Sequence, residues 1–595
     1  MKLSGMSDKS LIGRISVEYY LFMLFFILTF IYFYFFSNYI LFFQEQQFLF
    51  IFSGEFFHEH IIKPGGLLVL AGKFLTQFYF SKLAGALILT AVLTLPGVLL
   101  SKITGRLFPG FSFPAALLLI PSSLMILMQS HYYHMMEYNL GFVMILTLML
   151  FTVKSKTEIH RFIIVAIFPL FYYLTGTYSL IYLSVCIPYL LLFETGMRRI
   201  KYTILYIFIA IASIFVFNKF IFYLPFKQLL FYPLPPVNDQ VQKILLYMLI
   251  SYIAIIIPVG LAINMFKSHF PIKKYINPVS GILVLILSLV FIIARYNPQT
   301  ERVIQLEEFV FAEEWNKAIA YQEKYPAENL IGEYFYNVAL SETDQLCDRL
   351  FHGRQDFGAG SLILPWSDDH LPWGAYFHYS TGLINEAHRW AYEEMVVYGY
   401  RPQNLKMLVK TNLINGHYKM AEKYINILKR SIFYRSWAGE YEKLVGDSLA
   451  VRSHPDLGRR VIILPEDDFF IYLEEPQNNL PLLLDANKGN RKAFEYITAW
   501  LLLTKNVAAI VNNSGQLKEM GYQKIPAHIE EALLIHYSST RVMPDLGGLK
   551  ISSETMARFE QYTTAFKALR QTSTLNKEAM QKRFGNTFWF YFQFR

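Results

Sequence analysis

Two things are scarce in this chain of 595 residues: cysteine and charge. The two thiols, Cys186 and Cys347, fall in an apolar run and in a charge-rich stretch, so no disulfide framework or thiolate metal site can be built from them. Charged residues make up 17% of the chain, against roughly 25% in an ordinary globular domain. The shortfall is uneven. Up to about Arg295 the charges sit in short clusters between long apolar runs, and from Glu301 onward they come every few residues. Also missing are a phosphate-cradling glycine-rich loop, a nucleophile elbow and a zinc motif, which argues against ATP-driven transport. Ionisable residues in the middle of apolar runs are nearly absent, which ranks a transporter or lipid-handling protein last. No small-residue cleavage pattern follows the basic stretch from Met1 to Arg14, and the apolar run after it is too long for a signal peptide. An uncleaved first span is expected.

What is abundant is apolar and aromatic surface, at 54% and 17% of residues. A helix needs about 20 apolar residues to cross the hydrocarbon core. Runs of that kind predict about nine spans, near 15–43, 83–100, 107–128, 137–153, 162–175, 176–193, 203–218, 244–264 and 279–295. The stretch 162–193 reads equally as two helices or one broken pair. The fold expected is all-α, with a transmembrane helical bundle over 1–298 and a soluble helical-repeat domain over 299–595. The formal charge of +9 does not signal nucleic acid. In the first half Lys and Arg flank apolar runs, and in the second they alternate with Asp and Glu.

Basic residues mark every second connection: Lys2, Lys9 and Arg14; Lys102 and Arg106; Lys154, Lys156, His160 and Arg161; Arg198, Arg199 and Lys201; Lys267, Lys273 and Lys274. Those ends belong in the cytoplasm. The other connections and everything after the ninth span then face outward, across the cytoplasmic membrane of a bacterium and into the periplasm or beyond.

Two outward loops hold the candidate chemistry. The first runs from Gln44-Glu45-Gln46-Gln47 through Glu55, His58, Glu59 and His60 to Lys63-Pro64-Gly65-Gly66. The apolar stretch 67–80, interrupted by Lys73 and Gln77, reads as an interfacial or re-entrant helix. The second loop holds Gln129, His131 and His134 and leads into Glu137 and Asn139. A solvated polar loop explains each cluster about as well as a site does. The fourth outward connection, 218–243, places Pro225, Pro233, Pro235 and Pro236 among aromatics and fits either a segment over a cavity mouth or an interfacial anchor.

An acidic residue just after the first span, an amphipathic loop, a Pro-Gly-Gly and a helix before the second span resemble the GT-C superfamily of membrane glycosyltransferases over roughly residues 15–155. Where that superfamily carries an Asp-Glu-type pair, this chain has Gln44-Glu45-Gln46. The resemblance implies transfer of a sugar from a polyprenyl-phosphate carrier on the outer face, with Glu45 and Glu137 as the catalytic carboxylates. Such chemistry needs a base for the acceptor and positive charge for the leaving phosphate. His58, His60, Lys63, His131 and His134 are the expected substrate-binding residues, and Glu55 with Glu59 could hold a divalent metal ion. The whole chain also resembles a family of uncharacterised bacterial membrane proteins with a helical-repeat tail, a likeness that implies no activity.

In the second half, three stretches resemble tetratricopeptide pairs: 311–325 with 327–340, 404–415 with 418–429, and 490–496 with 501–511. Such arrays bind a protein partner or pack over their own membrane half. A non-catalytic envelope scaffold is therefore the alternative function. Asp368-Asp369-His370 reads as a polar turn rather than a ligand set. The aromatic run Phe588 to Phe594 is expected to dock on the array or at the interface.

Overall fold

The computed structural model describes residues 17–109, 113–155, 157–235, 239–266, 276–571 and 577–595. Lys2, Lys9, Arg14, Lys156, Pro236, Lys267, Lys273 and Lys274 lie outside them. Regular secondary structure among the described residues is entirely helical. The chain divides into two compact units, Met1–Tyr296 and Asn297–Arg595.

Among the described residues of the first unit seven helices are long and apolar enough to cross a membrane: Val17–Phe36, Lys82–Leu107, Met136–Lys154, Glu158–Thr175, Met197–Phe222, Gln240–Met265 and Pro278–Arg295. Two further expected spans form shorter apolar helices, Ala115–Gln129 and Thr177–Phe193. At 1.5 Å per residue these reach only about 22 and 25 Å, short of a hydrocarbon core of about 30 Å. Polar pairings gather at opposite ends of the bundle. At one end Ser101 donates to Glu18 at 2.7 Å, Arg161 pairs with Glu194 at 2.6 Å and Arg198 with Glu158 at 2.6 Å. At the other, Gln44 meets the 132–134 loop, and Arg295 pairs with Asp239 at 3.0 Å.

The stretch 162–193 resolves into two helices because Gly176 turns the chain. Its φ is +58°, a region where L side chains are strained. A Cβ there would lie 2.4 Å from the Tyr232 carbonyl oxygen. Gly65, at φ +82°, packs against the same point, with its Cα 3.3 Å from where a Gly176 Cβ would stand. The Gly65 N–H donates to the Tyr173 carbonyl at 2.8 Å, and Thr177 Oγ1 donates to the Leu230 and Tyr232 carbonyls at 2.8 and 2.9 Å. The Pro-Gly-Gly at 64–66, the break between two helices and the 226–235 segment thus form one knot.

The first expected span is not one straight helix. Val17–Ile31 passes through a wider turn at Tyr32–Phe36, breaks at Ser37 and resumes as Asn38–Gln46. The Glu55–His60 loop is itself a helix, Gly54–Ile61, whose first turn is capped by Ser53 Oγ accepting from the Phe56 N–H at 3.2 Å. The 67–80 stretch forms Gly66–Thr76 with a tighter turn over Gln77–Phe80.

The second unit is built from helices that pack on their sequence neighbours, as Leu371–Thr381 does on Ile384–Tyr398, and Pro402–Ile414 on Tyr418–Lys429. One turn recurs between them. Glu313, Asp344, Gly416 and Lys505 all have positive φ. At each, the following N–H reaches the carbonyl five residues back: Glu314 to Phe309, Gln345 to Leu340, His417 to Asn412 and Asn506 to Leu501, at 2.8–2.9 Å. This is the Schellman ending of a helix, here followed at once by the next helix. The 490–511 stretch departs from the sequence reading, because Leu501 lies inside Arg491–Leu503 and the turn comes at Lys505. The C-terminal aromatic run forms the helix Phe588–Phe594, with Trp589 and Phe590 buried in a core with Met580, Phe584 and Tyr562.

Candidate functional site

The segment after the first apolar helix and the 129–139 segment meet through side-chain amides. Gln44, fully buried, donates from Nε2 to the carbonyls of Tyr132 and His134 at 3.1 and 2.9 Å. Its Oε1 accepts from Gln129 at 3.3 Å, Gln129 Oε1 accepts from Asn139 at 2.6 Å, and Asn139 Oδ1 faces His134 Nε2 at 3.2 Å. Because Asn139 Oδ1 can only accept, His134 carries its proton on Nε2. Burial pushes the His134 imidazole down to about 4, so it stays neutral and acts as a pin between helices. This chain of four side chains ties the segment carrying Glu45 to the segment carrying Glu137.

Glu45 is buried and accepts from Gln46 Nε2 at 2.7 Å. Glu137 is 8% exposed and its Oε2 has no hydrogen-bond partner. It presses against the backbone of the Gly66–Thr76 helix: a Cβ on Gly72 would stand 2.7 Å from Glu137 Cβ and 2.8 Å from both its N and its Oε2. The hydroxyls of Tyr79 and Tyr178 are likewise buried without partners, and both lie within electrostatic reach of Glu137. Unsatisfied polar atoms gathered in one place are uncommon in native interiors. Lys73, next to Gly72, is also in electrostatic reach of Glu137 and extends over the rings of Phe48 and Phe56 at 5.2 and 5.7 Å.

The remaining expected site residues are spread over the same region. His60 is buried, its Nδ1 2.8 Å from the Phe56 carbonyl, and burial lowers its pKa. Lys63 lies over the Tyr232 ring at 4.6 Å. His131 stacks on Tyr132 at 5.1 Å, and burial lowers its pKa too. Glu55, His58 and Glu59 are exposed on Gly54–Ile61. Among the described residues no group of three or more His, Cys, Asp or Glu could hold a metal ion. His58 borders an apolar groove of about 690 Å³ walled by Ile61, Leu170, Tyr173, Phe217 and Phe222. In the second unit Asp368–His370 is a single tight turn, with His370 Nδ1 2.9 Å from the Pro365 carbonyl.

Sequence reasoning noted Lys73 only as an interruption of an apolar stretch and gave no role to Gln44, Tyr79 or Tyr178. A lone lysine in apolar residues was the available signal for the first. The others needed the tertiary fold. No curated protein and no solved structure matches this chain. The family model of DUF6057, described as a family of unknown function, matches residues 14–595, and the chain belongs to that family.

Proposed function

We propose that this protein is a GT-C-like glycosyltransferase of the cytoplasmic membrane that takes a sugar from a polyprenyl-phosphate donor on the outer face. The observation that carries the reading is the buried carboxylate of Glu137, with one oxygen unpartnered, packed on Gly72 and within electrostatic reach of Tyr79 and Tyr178. In the proposed topology the seven long apolar helices cross together with Ala115–Gln129 and Thr177–Phe193, the N-terminus is cytoplasmic and the second unit faces the periplasm or exterior. Basic residues at alternate connections support it.

The chemistry assigns roles as follows. Glu137 takes the proton from the acceptor hydroxyl as its oxygen attacks the anomeric carbon. The bond from that carbon to the lipid phosphate breaks, and the phosphate leaves with the electron pair. Glu45 orients the acceptor, and Lys73 and Lys63 supply positive charge toward the phosphate. Glu55 and Glu59, one turn apart on Gly54–Ile61, are the residues that would hold a divalent ion, which would supply positive charge for the leaving phosphate. The apolar groove beside His58 suits a hydrocarbon chain.

The test is release of polyprenyl phosphate from a panel of polyprenyl-phosphate sugars by membranes containing the protein. Glu137→Gln is expected to lower the rate by about 100-fold or more, the contribution of a positioned base, at unchanged protein level and thermal midpoint. Glu45→Gln is expected to give a smaller loss. Equal release by wild type and Glu137→Gln would remove the catalytic role.

A second reading, a scaffold whose degenerate tetratricopeptide-like array binds a protein partner, rests on one surface. Tyr392, Val396, Val397 and Tyr400 are exposed together around the end of Ile384–Tyr398, and clustered exposed apolar residues mark interaction sites. On that reading Val396→Asp abolishes function in cells while Glu137→Gln leaves it intact.

A further inference from the structure

The second unit contains a cavity of about 470 Å³ that no part of the glycosyl-transfer reading uses. Four segments build it: the turn at 353–355, the helix Ser553–Gln571, the end of Lys577–Phe584 with the residues after it, and the last helix, Phe588–Phe594. Arg354, Arg558, Lys582, Arg583 and Arg595 line it, with no Asp or Glu among the described residues that do.

Part of that charge is spoken for. Arg354 pairs with Glu328 and with Asp356, the latter at 2.9 Å, and Arg595 also pairs with Asp356. Arg558, Lys582 and Arg583 make no ion pair among the described residues. Three such cations around one concavity repel each other, and a protein surface gains from keeping them together only when an anion is to be met.

The wall is organised in advance. Arg558 donates to Asn586 Oδ1 at 2.6 Å, and the other end of that amide lies 3.4 Å from His352 Nε2. The backing is fixed. Phe584 and Phe590 belong to the core around Trp589, and the Phe588 N–H donates to Glu531 at 2.6 Å while the Trp589 indole donates to the Glu531 carbonyl at 2.9 Å. At Gly585 a Cβ would stand 2.4 Å from the Gln581 carbonyl oxygen, so the chain turns there on a residue without a side chain and carries Asn586 into the wall. A rigid, pre-placed donor set lowers the cost of binding.

We propose that this cavity binds a phosphoanion of two or more negative charges, a diphosphate or phosphomonoester group, held by Arg558, Lys582 and Arg583. Guanidinium forks match phosphate oxygens two at a time, and the lysine adds a point charge. The volume leaves room for more than one phosphate group within the range of roughly 300–1,000 Å³ usual for small-molecule sites. The proposal stands apart from the role of Glu137, and neither depends on the other.

Calorimetric titration of the full chain, in phosphatidylcholine nanodiscs, reads it with two probes: inorganic pyrophosphate and a water-soluble short-chain phosphatidic acid. Saturable binding of either supports the site when it weakens by about tenfold or more in both Arg558→Gln and the exposed pair Lys582→Gln/Arg583→Gln. Pyrophosphate as the tighter probe assigns a free phosphoanion, and phosphatidic acid as the tighter one assigns a lipid headgroup. The control Lys419→Gln/Lys423→Gln, exposed on Tyr418–Lys429, is expected to bind like wild type. No saturable binding of either probe, or equal loss in the control, overturns the proposal.

Discussion

Gly72 and Glu137 occupy one another's space, and this makes a glycine the most sensitive reporter of the carboxylate. An alanine at 72 would set its Cβ 2.7–2.8 Å from Glu137 Cβ, N and Oε2. Two of those three atoms are backbone or next to it and cannot swing aside. Overpacking of this kind costs about 1–3 kcal/mol. Gly72→Ala is therefore expected to lower the thermal midpoint in detergent and, if Glu137 is the base, to suppress transfer as well. Gly105, which has nothing within 4 Å of its Cβ position, is the comparison: Gly105→Ala should be neutral or slightly stabilising, since alanine is the better helix former. If both variants unfold alike, the packing argument fails. At this scale the sequence offered Glu45 and Glu137 through their positions, just after the first apolar run and at the start of a later one. It said nothing of the Gln44–Gln129–Asn139–His134 chain, because amides separated by up to 95 positions carry no local signature of meeting.

Helix-to-helix turns show what the element scale adds. Glycine serves the left-handed position at 416, but Glu313, Asp344 and Lys505 occupy it elsewhere, at a cost to a side chain of about 1–2 kcal/mol. Each makes a long-range contact in exchange. Glu313 accepts from Lys410, Asp344 from Lys492, and Lys505 donates to the carbonyl of Arg595. Lys410 is buried and also donates to Asp456 Oδ2 at 2.8 Å. Burial pushes the Asp456 carboxyl up, yet Lys410 and Arg460 outweigh it and hold it at about 2. Lys410→Met takes the nearest cation from Asp456, which keeps the Tyr379 hydroxyl at 2.7 Å and Arg460 at 3.6 Å, so the loss is expected at or below the roughly 3–5 kcal/mol of breaking a buried pair. Glu313→Gly should cost far less, because glycine relaxes the φ of 57° while Lys410 keeps Asp456. Denaturant unfolding of the two variants separates them, and equal losses would refute the division of labour. Helix pairs were legible from periodicity at 404–429 because a glycine marks the turn. At 490–511 the turn residue is a lysine, which no sequence rule flags, and the expected boundary fell inside a helix.

For the whole molecule, charge is sparse up to about Arg295 and dense from Glu301 onward, and the two compact units divide at Tyr296–Asn297. The same asymmetry supplies a probe. All seven tryptophans lie between Trp315 and Trp589, so indole fluorescence of the intact chain reads the second unit alone. Burial raises Glu394 to about 8 and Glu307 and Glu333 to about 7, above the ordinary carboxyl value of 4.5. The folded state therefore holds protons that the unfolded chain releases, and stability falls as pH rises from about 4.5 through about 8. Burial acts oppositely on His378, pushing it down to about 3, and lowers His352 and His388. An unfolded histidine takes up a proton that these do not, so their contribution grows with pH but is complete once the ordinary imidazole value of 6.5 is passed. Above pH 6.5 the histidine contribution levels off while the carboxyls go on losing protons up to about 8, and the fluorescence-detected midpoint is expected to fall. Glu394→Gln, neutral in both states, should flatten that fall, because Glu394 titrates highest of the three. A midpoint that stays level across this window in the wild type, or falls equally in Glu394→Gln, would mean that Arg401, 3.5 Å away, keeps Glu394 charged in the folded protein.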